Sequence, residues 1–137
     1  MIKNIVTDTI FLQLKSEPAD ESDAEVITDL CDTLKAYSDN CVGMAANMIG
    51  VRKTIIAVMI KGECTVMVNP KIIDTSPQIY DATESCLSLI GTHNAKRHKV
   101  ITVDYLDKDF KPKRRTFRDF EAQVIQHEID HFSGILI

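Results

Sequence analysis

Two stretches of the chain repeat their apolar residues at the three- and four-residue steps of a helix. The first covers residues 22–37 and opens with Ser22 and Glu25, a capping-box pattern. The second begins near Asp119, a good N-cap residue, and ends at Ser133 before Gly134, where a left-handed residue is common. Because apolar side chains cover most of its circumference, we expect the second helix to lie inside the protein.

Four shorter runs are rich in the β-branched and apolar residues typical of strands. These runs are residues 54–60, 64–68, 99–105 and 113–117. The connections within each pair are too short for a parallel crossover, so both pairs are predicted to be antiparallel, and Asn69-Pro70 is expected to close the second run. The predicted fold is therefore α+β, with antiparallel β-sheets packed around the C-terminal helix and an amphipathic helix towards the N-terminus.

Composition narrows the class of protein. A chain of 137 residues that is 45% hydrophobic and has no linker-like tract predicts a single domain, residues 1–137. A core of that size needs no structural metal, so any bound ion is expected to be functional. No segment approaches the ~20 apolar residues of a membrane span, and the four cysteines are widely scattered. We therefore expect a cytoplasmic protein with reduced thiols and no membrane contact.

Charge is unevenly distributed along the chain. Residues 17–39 carry eight acidic side chains against one lysine, whereas residues 96–118 carry nine basic side chains against three aspartates. The basic residues flank a predicted strand, where a solvated sheet edge is the simpler interpretation. A weak contact with the ribosome is the functional alternative.

The segment His127-Glu128-Ile129-Asp130-His131 carries the most specific chemical pattern. Two histidines four residues apart on a helix lie about 40° apart around its axis, so both rings can reach one ion. Glu128 would then accept a proton from the attacking water and deliver it to a leaving amine. A chance pair of surface histidines is the alternative, but burying these polar groups in an apolar helix is costly unless they have partners.

Catalytic metal sites usually have three protein ligands and one open position. Only six residues follow His131, and none of them is histidine or glutamate. A general zinc endopeptidase with a downstream third ligand is thereby disfavoured, and the third ligand is expected upstream.

Three segments together resemble the peptide deformylase family. Glu84-Ser85-Cys86-Leu87-Ser88 resembles the family's EGCLS motif, residues 126–131 resemble its QHExDH helix, and residues 42–46 resemble its GxGxAAxQ loop. They occur in the family's order, with Val68-Asn69-Pro70 and Lys96-Arg97-His98 as further matches between them. The resemblance covers nearly the whole chain.

The resemblance implies a role for each matching residue. Cys86 would join His127 and His131 as a metal ligand, with Glu128 as the general acid and base. The backbone N–H of Leu87 would donate to the oxyanion, and Gly43 would approach the substrate backbone because it lacks a Cβ.

The resemblance also implies the cofactor and the substrate. One divalent ion is expected, ferrous iron in cells, with zinc, nickel or cobalt also accepted. The substrates would be N-formylated peptides or nascent chains, and we expect a monomer.

Three positions depart from the family pattern. The family's oxyanion-binding glutamine is replaced by Met48, whose thioether cannot donate a hydrogen bond. Losing one such donor costs on the order of 10²- to 10³-fold in turnover. Ser85 replaces a glycine beside the substrate path. Cys41 replaces another glycine, either as a packing residue or as an extra thiol ligand or oxidation-sensitive thiol.

These departures leave two hypotheses. The first is a metal-dependent hydrolase that removes N-formyl groups, with weakened or altered activity. The second is a metal-bearing homologue that binds formylated or other modified peptides without efficient turnover.

Overall fold

Seven strands form two antiparallel sheets in the computed structural model, which describes residues 1–137. The strands are β1 (Gly43–Ala45), β2 (Ile55–Ile60), β3 (Glu63–Thr75), β4 (Ile79–Ser85), β5 (Thr92–His98), β6 (Val100–Leu106) and β7 (Pro112–Arg118). The larger sheet has the order β1-β2-β3-β6-β7, and β4 pairs only with β5. Both predicted antiparallel pairs are confirmed as β2–β3 and β6–β7.

Strand β3 is longer than the sequence predicted. Asn69-Pro70 does not end it, because Asn69 adopts a left-handed φ of 50° at a shift in the β3–β6 register, and the strand then continues. Asparagine tolerates this conformation better than most residues. Its side chain also bonds both backbone groups of Ala19 and the hydroxyl of Thr54, which joins the strand to the preceding loop.

Three α-helices complete the fold: α1 (Thr9–Leu12), α2 (Ala24–Ala36) and α3 (Asp119–Asp130). Helix α2 is the predicted amphipathic helix, and it packs against β1, β2 and β3 of the larger sheet. Its predicted capping box is wrong, because a short 3₁₀ turn precedes the helix. The carboxylate of Asp20 accepts from Ser22 N–H, and that of Asp23 accepts from Asp20 N–H.

Helix α3 contacts strands of both sheets, as expected for a buried C-terminal helix. The predicted N-cap is wrong, since Arg118 occupies that position and Asp119 takes a positive φ of 55°. The apolar surface is also less complete than predicted: Phe120 is 60% exposed, while Gln126 is buried and bonds the backbone of His98. Gly134 has the expected left-handed conformation, with a φ of 75°.

Strand β7 forms one edge of the larger sheet. Only Phe117 is buried in it, and Arg114 pairs with Asp104 of the neighbouring strand. This arrangement confirms a solvated edge for the basic residues of 111–118, whereas Arg97 of the same basic segment is buried.

The expectation of four reduced cysteines is wrong for one pair. Cys31 of α2 and Cys64 of β3 form a disulfide with their Cα atoms 6.2 Å apart, whereas Cys41 and Cys86 are free. Residues 33 positions apart in sequence are brought together only by the packing of the helix on the sheet, which spacing alone does not reveal. No helix in the structure has the length and hydropathy needed to cross a bilayer.

Candidate active site

A cleft of about 450 Å³ opens where the segment leading into β1, the end of β4 and helix α3 meet. Most of the residues singled out by the sequence line it. They are Gly43, Ser85, Cys86, Leu87, His127 and Glu128, with Cys41 beside them. Three separate parts of the chain thus supply one site.

The three predicted metal ligands lie together at this cleft. Cys86 Sγ and one ring nitrogen each from His127 and His131 are all within 4.8 Å of one another, and Cys86 Sγ lies 3.7 Å from His131 Nε2. Cys86 directly follows β4, while His127 lies in the last turn of α3 and His131 is the residue immediately after the helix. The two rings meet edge to face with centroids 4.9 Å apart.

The donor chemistry of this cluster fits a transition-metal ion. One thiol sulfur and two imidazole nitrogens are the ligand types that bind zinc and related ions, and both histidines are at least 94% buried. The pKa of His131 is lowered to about 4 by burial and by the positive charge of His127. His131 is therefore neutral near pH 7 and offers a nitrogen lone pair to a metal. In spite of burial, hydrogen bonds with Cys86 and Glu84 raise the pKa of His127 to about 10, so His127 must release its Nε2 proton when a metal binds.

A buried ion-pair network holds His127 in place. Its Nδ1 lies 2.8 Å from Glu84 Oε1, which leaves Nε2 to face the cluster. Arg97 donates two hydrogen bonds to Glu84 and a third to Asp130. Although burial alone would raise the pKa of Glu84, the hydrogen bonds from His127 and Arg97 lower it to about 2. A carboxylate that orients the far nitrogen of a metal-binding histidine is a usual partner in such sites.

The sequence analysis did not assign functions to Glu84, Asp130 or Asn47. Glu84 stands two residues before Cys86, and that adjacency within the EGCLS-like segment was the available signal. Asn47 is buried and donates from Nδ2 to the backbone carbonyl of His131, 3.3 Å away, so it ties the loop after β1 to the histidine helix. Nothing in the local sequence indicates that contact.

Glu128 is placed to exchange protons in the cleft. It is 4% exposed, and its Oε1 has no hydrogen-bond partner in the protein. Burial raises its pKa to about 7, against the opposing influence of the positive charge on His127. A carboxyl group that titrates near neutral pH is suited to both accepting and returning a proton.

Gly43 packs directly against this carboxylate. A Cβ at Gly43 would lie 2.5 Å from Val124 Cγ1 and 2.9 Å from Glu128 Oε2, so any other residue there requires these side chains to move. The neighbouring Cys41 thiol donates to the carbonyl of Gly43 at 2.8 Å. Burial raises the pKa of this thiol to about 12. Cys41 is therefore a protonated, hydrogen-bonded residue of the cleft wall.

The remaining predicted residues occupy different surroundings. Ser85 is exposed at the end of β4, and the Leu87 backbone N–H has no backbone acceptor. Met48 does not line the cleft, because its side chain is 1% exposed. Its sulfur instead accepts from the N–H of Ala45 at 3.5 Å and lies 4.0 Å from Cys86 Sγ.

Known proteins match this chain over its whole length. A family profile described as polypeptide deformylase matches residues 2–137. A peptide deformylase of Clostridium beijerinckii is 50% identical over 137 residues, which is 100% of both chains. Another, from Pseudothermotoga lettingae, is 37% identical over 121 residues, covering 88% of this chain and 69% of the relative.

Solved structures give the same result. The crystal structure of a peptide deformylase from Thermotoga maritima superposes with a TM-score of 0.89 at 26% identity, covering 99% of this chain and 95% of that one. One from Legionella pneumophila has a TM-score of 0.88 at 34% identity, with 99% and 83% coverage. With the α+β fold, the Cys-His-His cluster and the buried Glu128 in place, the chain belongs to the polypeptide deformylase family.

Proposed function

We propose that Cys86, His127 and His131 hold one divalent metal ion and that the chain removes the N-formyl group from formylmethionyl peptides. The observation that supports this most directly is the convergence of the three donor atoms within 4.8 Å beside the buried carboxylate of Glu128. Family membership supplies the reaction class, metal-dependent hydrolysis of an amide bond.

Each residue of the cleft has a distinct part in the proposed mechanism. When bound, the ion supplies Lewis-acid chemistry that makes a nearby water more acidic. Glu128 takes the proton from that water and delivers it to the departing amine nitrogen. The Leu87 N–H, which has no backbone acceptor, is free to donate to the oxygen of the formyl group as negative charge develops. The products are formate and a free N-terminal amine.

The identity of the ion and the setting of the reaction belong to the same proposal. Ferrous iron is the proposed ion in cells, with zinc, nickel and cobalt as substitutes, because thiolate and imidazole suit all four.

We propose a cytoplasmic monomer formed by a single domain, 1–137, that acts on nascent chains. Weak ribosome binding through β7 is tested by co-sedimentation of the native chain and an Arg114→Glu variant at low salt.

Formate release is the direct test of the reaction. The native chain loaded with ferrous or nickel ion is mixed with formyl-Met-Ala-Ser, and formate is measured against a Glu128→Ala variant carrying the same metal. We expect clear turnover by the native chain and a loss of at least 10²-fold in the variant, because general acid–base catalysis contributes about that much. Equal rates in the two proteins would reject the assigned role of Glu128.

Binding without efficient turnover is the second candidate, and Met48 is the observation that favours it. A thioether cannot donate to an oxyanion, so one stabilising interaction is absent. Introducing Met48→Gln tests this idea: a rise in rate of about 10²-fold would mean that the native site lacks this donor. Tight binding of the formyl-peptide by the native chain, with no formate released, would favour the binding function.

Endopeptidase activity is tested separately with unblocked casein. We expect no internal cleavage. Cleavage that depends on Glu128 would instead support a general zinc protease.

A further inference from the structure

Gln123 brings an amide group to the part of the cleft that helix α3 forms. Phe120 and Val124, on the same helix, also line the cleft and are apolar. The hydroxyl of Tyr80, on β4, donates to Gln123 Oε1 at 3.0 Å. The amide oxygen is therefore held by the protein, while the amide nitrogen bonds no acceptor in the protein and keeps its two N–H groups for another partner.

The separation of Gln123 from the proposed metal ligand His127 matches the length of a methionine side chain. Residues four apart on an α-helix point to the same side and lie about 6 Å apart along its axis. In extended formylmethionine the sulfur also lies about 6 Å from the formyl carbon. With the formyl carbon at the metal centre, the end of the first side chain therefore reaches the level of Gln123. Phe120 and Val124 are placed to contact the carbon atoms before it.

The surroundings of Gln123 favour a side chain that ends in a hydrogen-bond acceptor. Gln123 is half-buried, so a bound side chain covers the amide and displaces its water. An N–H left without an acceptor in such a place weakens binding, whereas an acceptor opposite it restores the hydrogen bond. A methylene group accepts no hydrogen bond, and the thioether of methionine is a weak acceptor. Oxidation of that sulfur to the sulfoxide adds a polar oxygen to a side chain of the same length.

We propose that Gln123, positioned by Tyr80, adapts the cleft to N-formyl peptides whose first methionine is oxidised to the sulfoxide. This inference rests on the proposed deformylase function and adds a substrate class to the same cleft. The reaction is unchanged: water is added across the formyl amide bond, formate and a free amine are released, and the sulfoxide is neither reduced nor oxidised further. Gln123 binds the side chain and takes no part in the proton transfers assigned to Glu128.

Substrate discrimination tests the proposal. The nickel-loaded chain is assayed for formate release from two peptides, formyl-Met(O)-Ala-Ser, where Met(O) is methionine sulfoxide, and formyl-norleucine-Ala-Ser. Their first side chains have similar lengths, but only the sulfoxide carries a strong acceptor. We expect kcat/KM of the native chain to be at least tenfold higher for the sulfoxide peptide, and this ratio to fall at least tenfold in Gln123→Leu. A native ratio below threefold, or an unchanged ratio in the variant, would overturn the proposal.

Two further variants separate hydrogen bonding from a general change in the cleft. Gln78→Leu is the matched control, because Gln78 is exposed and lines a neighbouring pocket but not the cleft. Its ratio should stay within threefold of the native value, and a fall equal to that of Gln123→Leu would overturn the proposal. Tyr80→Phe keeps the ring but removes the hydroxyl, so we expect its ratio to fall at least threefold. An unchanged ratio would overturn the positioning role of Tyr80.

Peptide binding distinguishes failure of this inference from failure of the proposed function. The dissociation constants of both peptides are measured by calorimetry in the nickel-loaded Glu128→Ala chain, with and without Gln123→Leu. If the native chain releases no formate, but the sulfoxide peptide binds at least tenfold more tightly and only when Gln123 is present, the hydrolytic function is wrong and recognition by Gln123 is supported. If the native chain hydrolyses both peptides equally and they bind equally, the function is supported and the role of Gln123 is overturned.

Discussion

The two sheets of this protein are stabilised by different means. The five-stranded sheet contributes apolar side chains to a cluster of 25 buried hydrophobic residues, and β2 is buried along nearly its whole length. In strands β4 and β5 the only buried side chains are Ala82, Glu84 and Arg97. The hairpin is nevertheless the element that presents Cys86 to the histidines of α3. It is attached to α3 by the charge pairs of Glu84 and Arg97 and by uncharged hydrogen bonds, such as those of Gln126 with the His98 backbone. The proposed metal centre therefore joins an apolar region to one that is held by polar contacts.

Removing the central arginine should have the largest effect on this arrangement. Arg97→Ala removes both hydrogen bonds that the guanidinium donates to the buried Glu84 and leaves only the bond with His127, which should cost about 3 to 5 kcal/mol of unfolding free energy. Urea denaturation measures the loss, and hydrogen exchange should show β4–β5 losing protection before β2 and β3. Lys96→Ala is the matched control, because its pair with Asp81 is exposed and should contribute nothing measurable. Equal losses in both variants would contradict the polar anchoring of the hairpin.

Shortening an apolar side chain of the core should lower stability without weakening metal binding. Ile101 is fully buried in β6, and Ile101→Ala should cost about 3 kcal/mol through lost burial and the cavity left behind. Since the proposed metal ligands lie outside that sheet, Zn(II) affinity should stay within threefold of the native value. A tenfold loss of affinity would mean that the two regions are not energetically separate.

Metal removal should affect mainly the hairpin and the end of α3. An ion bound only by the folded state, at 100 times its dissociation constant, adds about 2.7 kcal/mol of stability. Chelation should remove that amount, with the increase in hydrogen exchange concentrated in β4, β5 and residues 127–133. A uniform increase in hydrogen exchange across β2, β3 and β6 would argue against a stabilising effect of the metal that is confined to its binding site.

The smallest effect is expected at the outer end of the polar network. Asp130 accepts one bond from Arg97 with its side chain 30% exposed, and Asp130→Asn keeps an acceptor in place. We expect a loss of about 1 kcal/mol or less, measured by urea denaturation, and a change in Zn(II) affinity of less than threefold. A larger fall in affinity would make Asp130, rather than Glu84, the main support of the histidines.

The contrast between the sheets also explains what the sequence could predict. The apolar residues of 54–68 and 99–117 predicted the strand pairs of the larger sheet. The apolar pattern of residues 119–133 predicted the helix on which the spacing of His127 and His131 brings two imidazoles together. The β4–β5 hairpin was not predicted, because strand patterns depend on buried apolar side chains and this hairpin buries a glutamate and an arginine instead. Polar pairing across sequence-distant residues leaves no periodic signal.

Predictions from short stretches of sequence were wrong where the backbone adopts unusual conformations or where segments distant in sequence meet. Asn69 continues a strand through a left-handed residue, although Asn-Pro usually marks the end of a strand. Asp119, a good N-cap residue by type, instead takes a positive φ one position later. The Cys31–Cys64 pair and the buried sulfur of Met48 depend on packing between elements, which no short window of sequence records.

The close approach at Gly43 has a consequence for genetics. A methyl group there would lie 2.5 Å from Val124 Cγ1 and 2.9 Å from Glu128 Oε2, so we expect few second-site changes to restore a Gly43→Ala variant. Selection for second-site suppressors should recover Val124→Ala or Val124→Gly, which remove the shorter of the two contacts, while the Glu128 side chain must shift to relieve the other. The residues that position 43 can accept are thereby set by the size of the side chain at position 124.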